Sequence, residues 1–185
     1  MVLAVHKVGP NRYRERSRRY FEDLMIGNFY EHQPNRTIPE VDNTWFTLLT
    51  MNQHPLHFDA EYAKHSEFGR CVECSPLTVA LMAGMHVSDV SRKAVANLGR
   101  REIKLNHPLF VGDMLSPESE VLDKRASKSR PQAGIVTVKT RGFNPMGTLV
   151  CEADRTILAG KRGSEPQQQV VANLSRRPAT RFGLW

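Results

Sequence analysis

The succession of hydropathy periods predicts an α+β domain in which an antiparallel sheet wraps around one long central helix. Three features carry this reading. The longest helical pattern follows Ser75-Pro76, the apolar period becomes two from Ala94 onward, and Asn144-Pro145-Met146-Gly147 joins two alternating runs as a hairpin turn.

At 185 residues the chain has the length of one domain. Its hydrophobic content of 40% and charged content of 24% are those of an ordinary soluble protein. No run approaches the ~18 apolar residues of a membrane span, so no membrane association is expected. The formal charge of +7 divides unevenly, with +5 over residues 1–19, +4 over 161–185 and −2 between them. Basic tails on a slightly acidic body argue against a nucleic-acid partner, whose phosphates require a basic face on the folded part. Three cysteines without a secretory leader fit a reducing, cytoplasmic setting. We divide the chain into a loose basic arm over 1–19, a folded domain over 20–160 and a flexible basic tail over 161–185.

Taken in order, Phe21 to Tyr30 reads as a lead-in to a first strand reaching about Gln33. Thr37-Ile38-Pro39-Glu40 has the form of a capping box and predicts a helix start. Behind it Val41, Trp45, Leu48 and Leu49 make one apolar face of a helix ending near Thr50. Asp59 is placed to cap a second short helix, with Glu61 near its positive end. Ser75 as cap and Pro76 at the first helical position open the long helix, where Leu77, Ala80, Leu81, Gly84, Met85 and Val87 form the apolar stripe. Gly84, costly in a helix, predicts close packing against the sheet. The strands expected after Ala94 are long and antiparallel, with residues 123–133 as a charged, exposed loop.

Between the two main helices lies Thr50-Met51-Asn52-Gln53-His54-Pro55-Leu56-His57-Phe58-Asp59. Pro55 biases His54 away from the α region, so this segment is a turn carrying one amide and two imidazoles. The spacing resembles the signature of the MaoC-like (R)-specific enoyl-CoA hydratases, Ser/Thr-Gly-Asp-x-Asn-Pro-Leu/Ile-His-x-Asp. Thr50, Pro55, Leu56, His57 and Asp59 match it, whereas Asn52 stands where the family has its catalytic aspartate and His54 where it has asparagine. His107-Pro108-Leu109-Phe110-Val111-Gly112-Asp113 is similar to the family's Pro-Val-Phe-x-Gly-Asp turn.

The resemblance covers residues 19–160 and implies a hotdog fold, an enoyl-CoA hydratase (hydro-lyase) activity, an acyl-CoA substrate and no further cofactor. It also implies a homodimer or larger homo-oligomer formed by joining sheets edge to edge. Within the family the chain looks closest to members acting on branched or dicarboxylic C5 acyl-CoAs of the mesaconyl or itaconyl type. By this resemblance His57 is the catalytic histidine, Asn52 takes the aspartate's place, and the backbone N–H of Ser75 is the oxyanion donor.

Hydration of an enoyl thioester needs a base for water, an acid for the α-carbon and donors for the developing enolate oxygen. Asn52 exchanges no proton near neutrality. Three routes stay open: His57 serves as both base and acid while Asn52 orients the water, another group such as His54 or Glu73 supplies the proton, or the domain binds acyl-CoA without turnover. A hotdog thioesterase is a further alternative. Arg100, Arg101 and Lys104 are candidates for coenzyme A phosphates or a substrate carboxylate, as is Arg141. Cys71-Val72-Glu73-Cys74 has the spacing of half a zinc site, but a complete one needs two more ligands, so no metal is expected.

Overall fold

The structure, a computed structural model, describes residues 5–15 and 19–164. Strands β1 (Val5–Gly9) and β2 (Arg12–Glu15) form a hairpin. The arm was expected to lack regular structure. Its strands turn over Pro10-Asn11, where Asn11 takes the left-handed conformation (φ 52°) that asparagine tolerates. Residues 165–185, the bulk of the expected tail, lie outside the described part.

The main sheet is six-stranded, built from β3 (Phe29–Glu31), β4 (Arg36–Thr37), β5 (Ala94–Leu105), β6 (Met114–Ala126), β7 (Ala133–Phe143) and β8 (Leu149–Gly160). Its order is β3-β6-β7-β8-β5, with β4 also on β6, and every pairing is antiparallel. Strand β6 continues through Asp123–Ala126, which the charge pattern had assigned to the loop. Those backbone groups keep their ladder to β7, from Asp123 opposite Thr137 to Ala126 opposite Gly134.

Three helices complete the domain: α1 (Glu40–Thr50), α2 (Ala60–Lys64) and α3 (Ser75–His86), the last running into a π turn at Val87–Ser91. Among the described residues none is long and apolar enough to cross a membrane. Two clusters form the core. One gathers Leu24, Val90, Val121, Val136, Val138 and Ile157, and the other gathers Ile38, Met82, Leu109, Leu115 and Val150. Phe21 docks on β7 at Gly134, where an added Cβ would fall 2.1 Å from the ring.

Three local expectations are corrected. The Thr37 capping box does not form: Thr37 pairs with Met114 in β4, and α1 begins at Glu40 behind Pro39 without a side-chain cap. Ser75 is likewise the first residue of α3, with Cys74 at the cap position. Gly84 is exposed, and a Cβ there would meet nothing within 4 Å. Helix α3 is therefore buried along Leu77, Thr78, Met82 and His86 while its Ala80 and Gly84 side is open.

The apolar face of α1 is also reversed. Trp45 is 61% and Leu49 75% exposed, with Val41 and Leu48 exposed beside them, whereas Asn43 is 0% exposed and Thr47 is buried. The polar side faces inward because it meets backbone groups that require hydrogen bonds, which an apolar side chain would leave unsatisfied.

Candidate active site

The turn between α1 and α2 is built by backbone geometry first. Met51 takes the left-handed conformation (φ 58°) that ends α1, and the Asn52 N–H donates to the Thr47 carbonyl at 2.9 Å. Pro55–His57 then makes one 3-10 turn, and Asp59 caps α2 by accepting from the Tyr62 N–H at 3.0 Å.

His57 is half-buried in this turn. Its Nδ1 lies 3.0 Å from the Val72 carbonyl, which accepts only, so in the neutral ring Nδ1 carries the hydrogen. Nε2 keeps its lone pair and is suited to take a proton. The His54 ring centroid is 5.8 Å away, but His54 is exposed and its Nδ1 accepts from the Leu56 N–H at 3.2 Å.

Each end of the Asn52 amide makes one hydrogen bond. Its Oδ1 accepts from the His54 N–H at 3.1 Å, which fixes the amide's orientation, and Nδ2 donates to the Cys74 Sγ at 3.3 Å. The side chain thus braces the turn against the residue preceding α3. Ser75, half-buried, begins that helix, and at this first position its backbone N–H has no intrahelical acceptor. The local dipole there favours negative charge.

Sequence reasoning missed Asn43. Its Nδ2 donates to the carbonyls of His57 (2.7 Å) and Val72 (3.2 Å), and its Oδ1 accepts from the Cys74 N–H at 2.8 Å. One buried amide therefore joins α1, the histidine turn and the entry to α3. An asparagine in the middle of a helix, where its propensity is poor, was the available signal.

Glu73 is 2% exposed, and burial pushes its carboxyl up to about 7. It accepts from the Thr78 hydroxyl, while its Oε1 has no partner among the described residues. Burial also raises the Cys74 thiol. Cys71, Cys74 and Cys151 are free, and among the described residues no group of three or more His, Cys, Asp or Glu side chains could hold a metal ion.

The candidate cations separate. Arg101 and Lys104 are exposed on β5, Lys104 3.4 Å from Glu152, and Arg141 pairs with Glu120 at 3.0 Å. Arg100 instead lines a small cleft with Thr140 and Arg155 of the sheet and Val79, Met82 and Ala83 of α3, about 10 Å³ in volume, the room of roughly one water. His57 is not among the residues lining it. Arg155 escaped the sequence reading, though it stands alone as a charge in the alternating row Cys151, Ala153, Arg155, Ile157, Ala159.

Compared with known proteins, residues 10–170 match the family model described as mesaconyl-CoA hydratase. The chain belongs to the MaoC-like mesaconyl-CoA hydratase family. The mesaconyl-CoA hydratase of Cereibacter sphaeroides is 32% identical over 144 residues, 78% of this chain and 42% of that protein. Among solved structures, a MaoC domain protein dehydratase from Chloroflexus aurantiacus superposes with a TM-score of 0.74 at 28% identity, covering 90% of this chain and 44% of that one. The monoamine oxidase regulatory protein of Archaeoglobus fulgidus gives 0.69 at 31% identity, covering 78% and 97%. These likenesses bear out the hotdog fold expected from the motif. The chain spans less than half the length of the curated family relatives it matches first.

Proposed function

We propose that the protein is an acyl-CoA hydratase that adds water reversibly across a 2-enoyl-CoA, with a branched or dicarboxylic C5 acyl group of the mesaconyl type as its substrate. The observation that carries the reading is the His57 ring, anchored through Nδ1 to Val72 and offering Nε2 as a base in the turn that leads toward the α3 N-terminus. The family match and the acyl-CoA chemistry named for its relatives support it.

Asn52 cannot transfer protons, and both ends of its amide already hold the turn. We assign both proton roles to His57, since His54 is exposed with its Nδ1 engaged and Glu73 is buried and bonded to Thr78. Nε2 removes a proton from water as the oxygen attacks the β-carbon; electrons move onto the thioester oxygen, which the α3 N-terminus and the Ser75 N–H stabilise. The same proton then passes to the α-carbon, so H and OH are both delivered from one water. General acid–base catalysis of this kind contributes about 10²- to 10⁴-fold.

The test is loss of enoyl absorbance with crotonyl-CoA and mesaconyl-CoA. His57→Ala, checked for folding by circular dichroism, should lose about 10²-fold or more in rate. Equal rates in a folded variant remove His57 from the mechanism. A wild-type protein that binds both thioesters and hydrates neither is an acyl-CoA-binding protein instead.

The active form we propose is a homodimer. Strand β5 is one edge of the sheet, opposite the β3 and β4 edge, and carries Val95, Leu98, Ile103 and Leu105 exposed. An open edge with apolar side chains is a template for pairing with a second copy.

A further inference from the structure

Glu73 sits two residues before Ser75, and its side chain turns forward onto α3. Its backbone is fixed on both sides, the Glu73 N–H donating to the Leu109 carbonyl at 2.7 Å and the Cys74 N–H to Asn43 Oδ1 at 2.8 Å. The carboxyl reaches the first turn of the helix, where Oε2 accepts from the Thr78 hydroxyl and Oε1 has no partner among the described residues. Thr78 lies on the same face of α3 as Ser75, about 4.5 Å further along the axis. Among the described residues no cation bears on this carboxyl. The titratable groups that do are Cys74 beside it and Cys151 of β8, and burial raises both thiols, Cys151 to about 11. On the segment paired with Glu73, Asp113 is 3.7 Å from Arg70 and His107 is exposed; His57 is anchored on the neighbouring Val72 carbonyl.

We propose that Glu73, held by Thr78 against the first turn of α3, is a positioning residue that acts through the Ser75 N–H: a neutral carboxyl leaves the oxyanion site working, and an ionised one disables it. The proposal rests on the hydratase reading and adds to it a group outside the proton transfers. Sign and magnitude decide the effect. The helix end offers about half a positive charge to the enolate oxygen, whereas a carboxylate one turn away carries a full negative one. Ionised Glu73 therefore reverses the field that the oxyanion needs, in surroundings where burial leaves little screening. A carboxylate near a helix N-terminus is ordinarily stabilised there. Burial outweighs that at Glu73 and pushes the carboxyl up to about 7. His57 works in the opposite sense, since a base must first have lost its proton. Turnover is thus confined between loss of a proton from His57 and loss of another from Glu73.

The test is kcat/KM for crotonyl-CoA and mesaconyl-CoA from about pH 5.5 to about pH 8.5, a profile that reports the essential groups of the free protein. Wild type should lose about tenfold or more above a midpoint near 7, because each pH unit past a pKa removes about nine-tenths of the protonated form that remains. Glu73→Gln, neutral throughout, should show no such alkaline fall. Thr78→Val removes a hydroxyl that favours the ionised carboxyl, so its alkaline limb should move to higher pH. A wild-type profile without an alkaline limb, a limb that survives in Glu73→Gln, or variants slowed equally at every pH overturn the proposal. Should Glu73→Gln fail to fold, Thr78→Val decides, and an unmoved limb overturns it. If wild type hydrates neither thioester, the hydratase reading fails, and acetoacetyl-CoA reads the oxyanion site without turnover through the absorbance of its enolate. At about pH 8.5, enolate binding about tenfold tighter in Glu73→Gln than in wild type supports the proposal. Equal binding, or none by either protein, overturns it.

Discussion

The buried carboxyl of Glu73 gives the protein a pH signature. Its pKa is raised from 4.5 to about 7, so between those values the folded protein holds a proton that the unfolded chain releases. Stability from this residue is full below pH 4.5 and is lost as pH rises through 7. His32 and His86 act oppositely. Burial lowers both below 6.5, so their stability is present above 6.5 and is lost as pH falls below it. Glu73→Gln removes only the first effect. Melting temperatures of the variant and wild type should converge near pH 4.5 and separate by pH 8 in the variant's favour, equivalent to about 3 kcal/mol. A gap that does not change with pH would show that Glu73 is not protonated in the fold. At this scale the sequence was legible where residues form a contiguous motif, as His57 and Asp59 do. Asn43 and Arg155 were illegible because their partners lie far away in the chain: Val72 and Cys74 for one, His86 and Asn97 for the other.

The helices show why element existence was easier to read than element orientation. Helical spacing located α1 and α3 to within a residue or two, since periodicity and proline act locally. Which side of α1 turns inward depends on what it meets, and it meets open backbone groups that only an amide satisfies. Removing that amide has a definite cost. Asn43→Ala leaves the buried Cys74 N–H without its acceptor and the His57 and Val72 carbonyls without their donor, so unfolding free energy should drop by about 2–4 kcal/mol in denaturant titration. Hydration activity should fall with it at temperatures where the variant is folded, because the carbonyl that holds the His57 ring is one of those released. Wild-type stability in this variant would mean that the turn is held by other contacts.

As a whole the described residues leave a large apolar surface exposed. Val41, Trp45, Leu48, Leu49 and Met51 of the α1 region are exposed, α3 is open along Ala80 and Gly84, and β5 is unpaired at the edge. The sequence predicted a helix enclosed by its sheet. Among the described residues the sheet covers it on one side only, and neither periodicity nor composition says which side of an apolar helix the sheet will cover. Light scattering after gel filtration should give a mass about twice 21.0 kDa. Leu98→Lys with Ile103→Lys sets like charges against each other across an edge-to-edge join and should halve that mass. A wild-type monomer would remove β5 from any such role.

The His57 ring and the opposed Arg100 and Arg155 hang from different stretches of chain, the former upstream of α3 and the latter in strands that follow it. Substitutions on β5 and β8 can therefore accumulate without disturbing the contact that fixes the imidazole, the Val72 carbonyl on Nδ1.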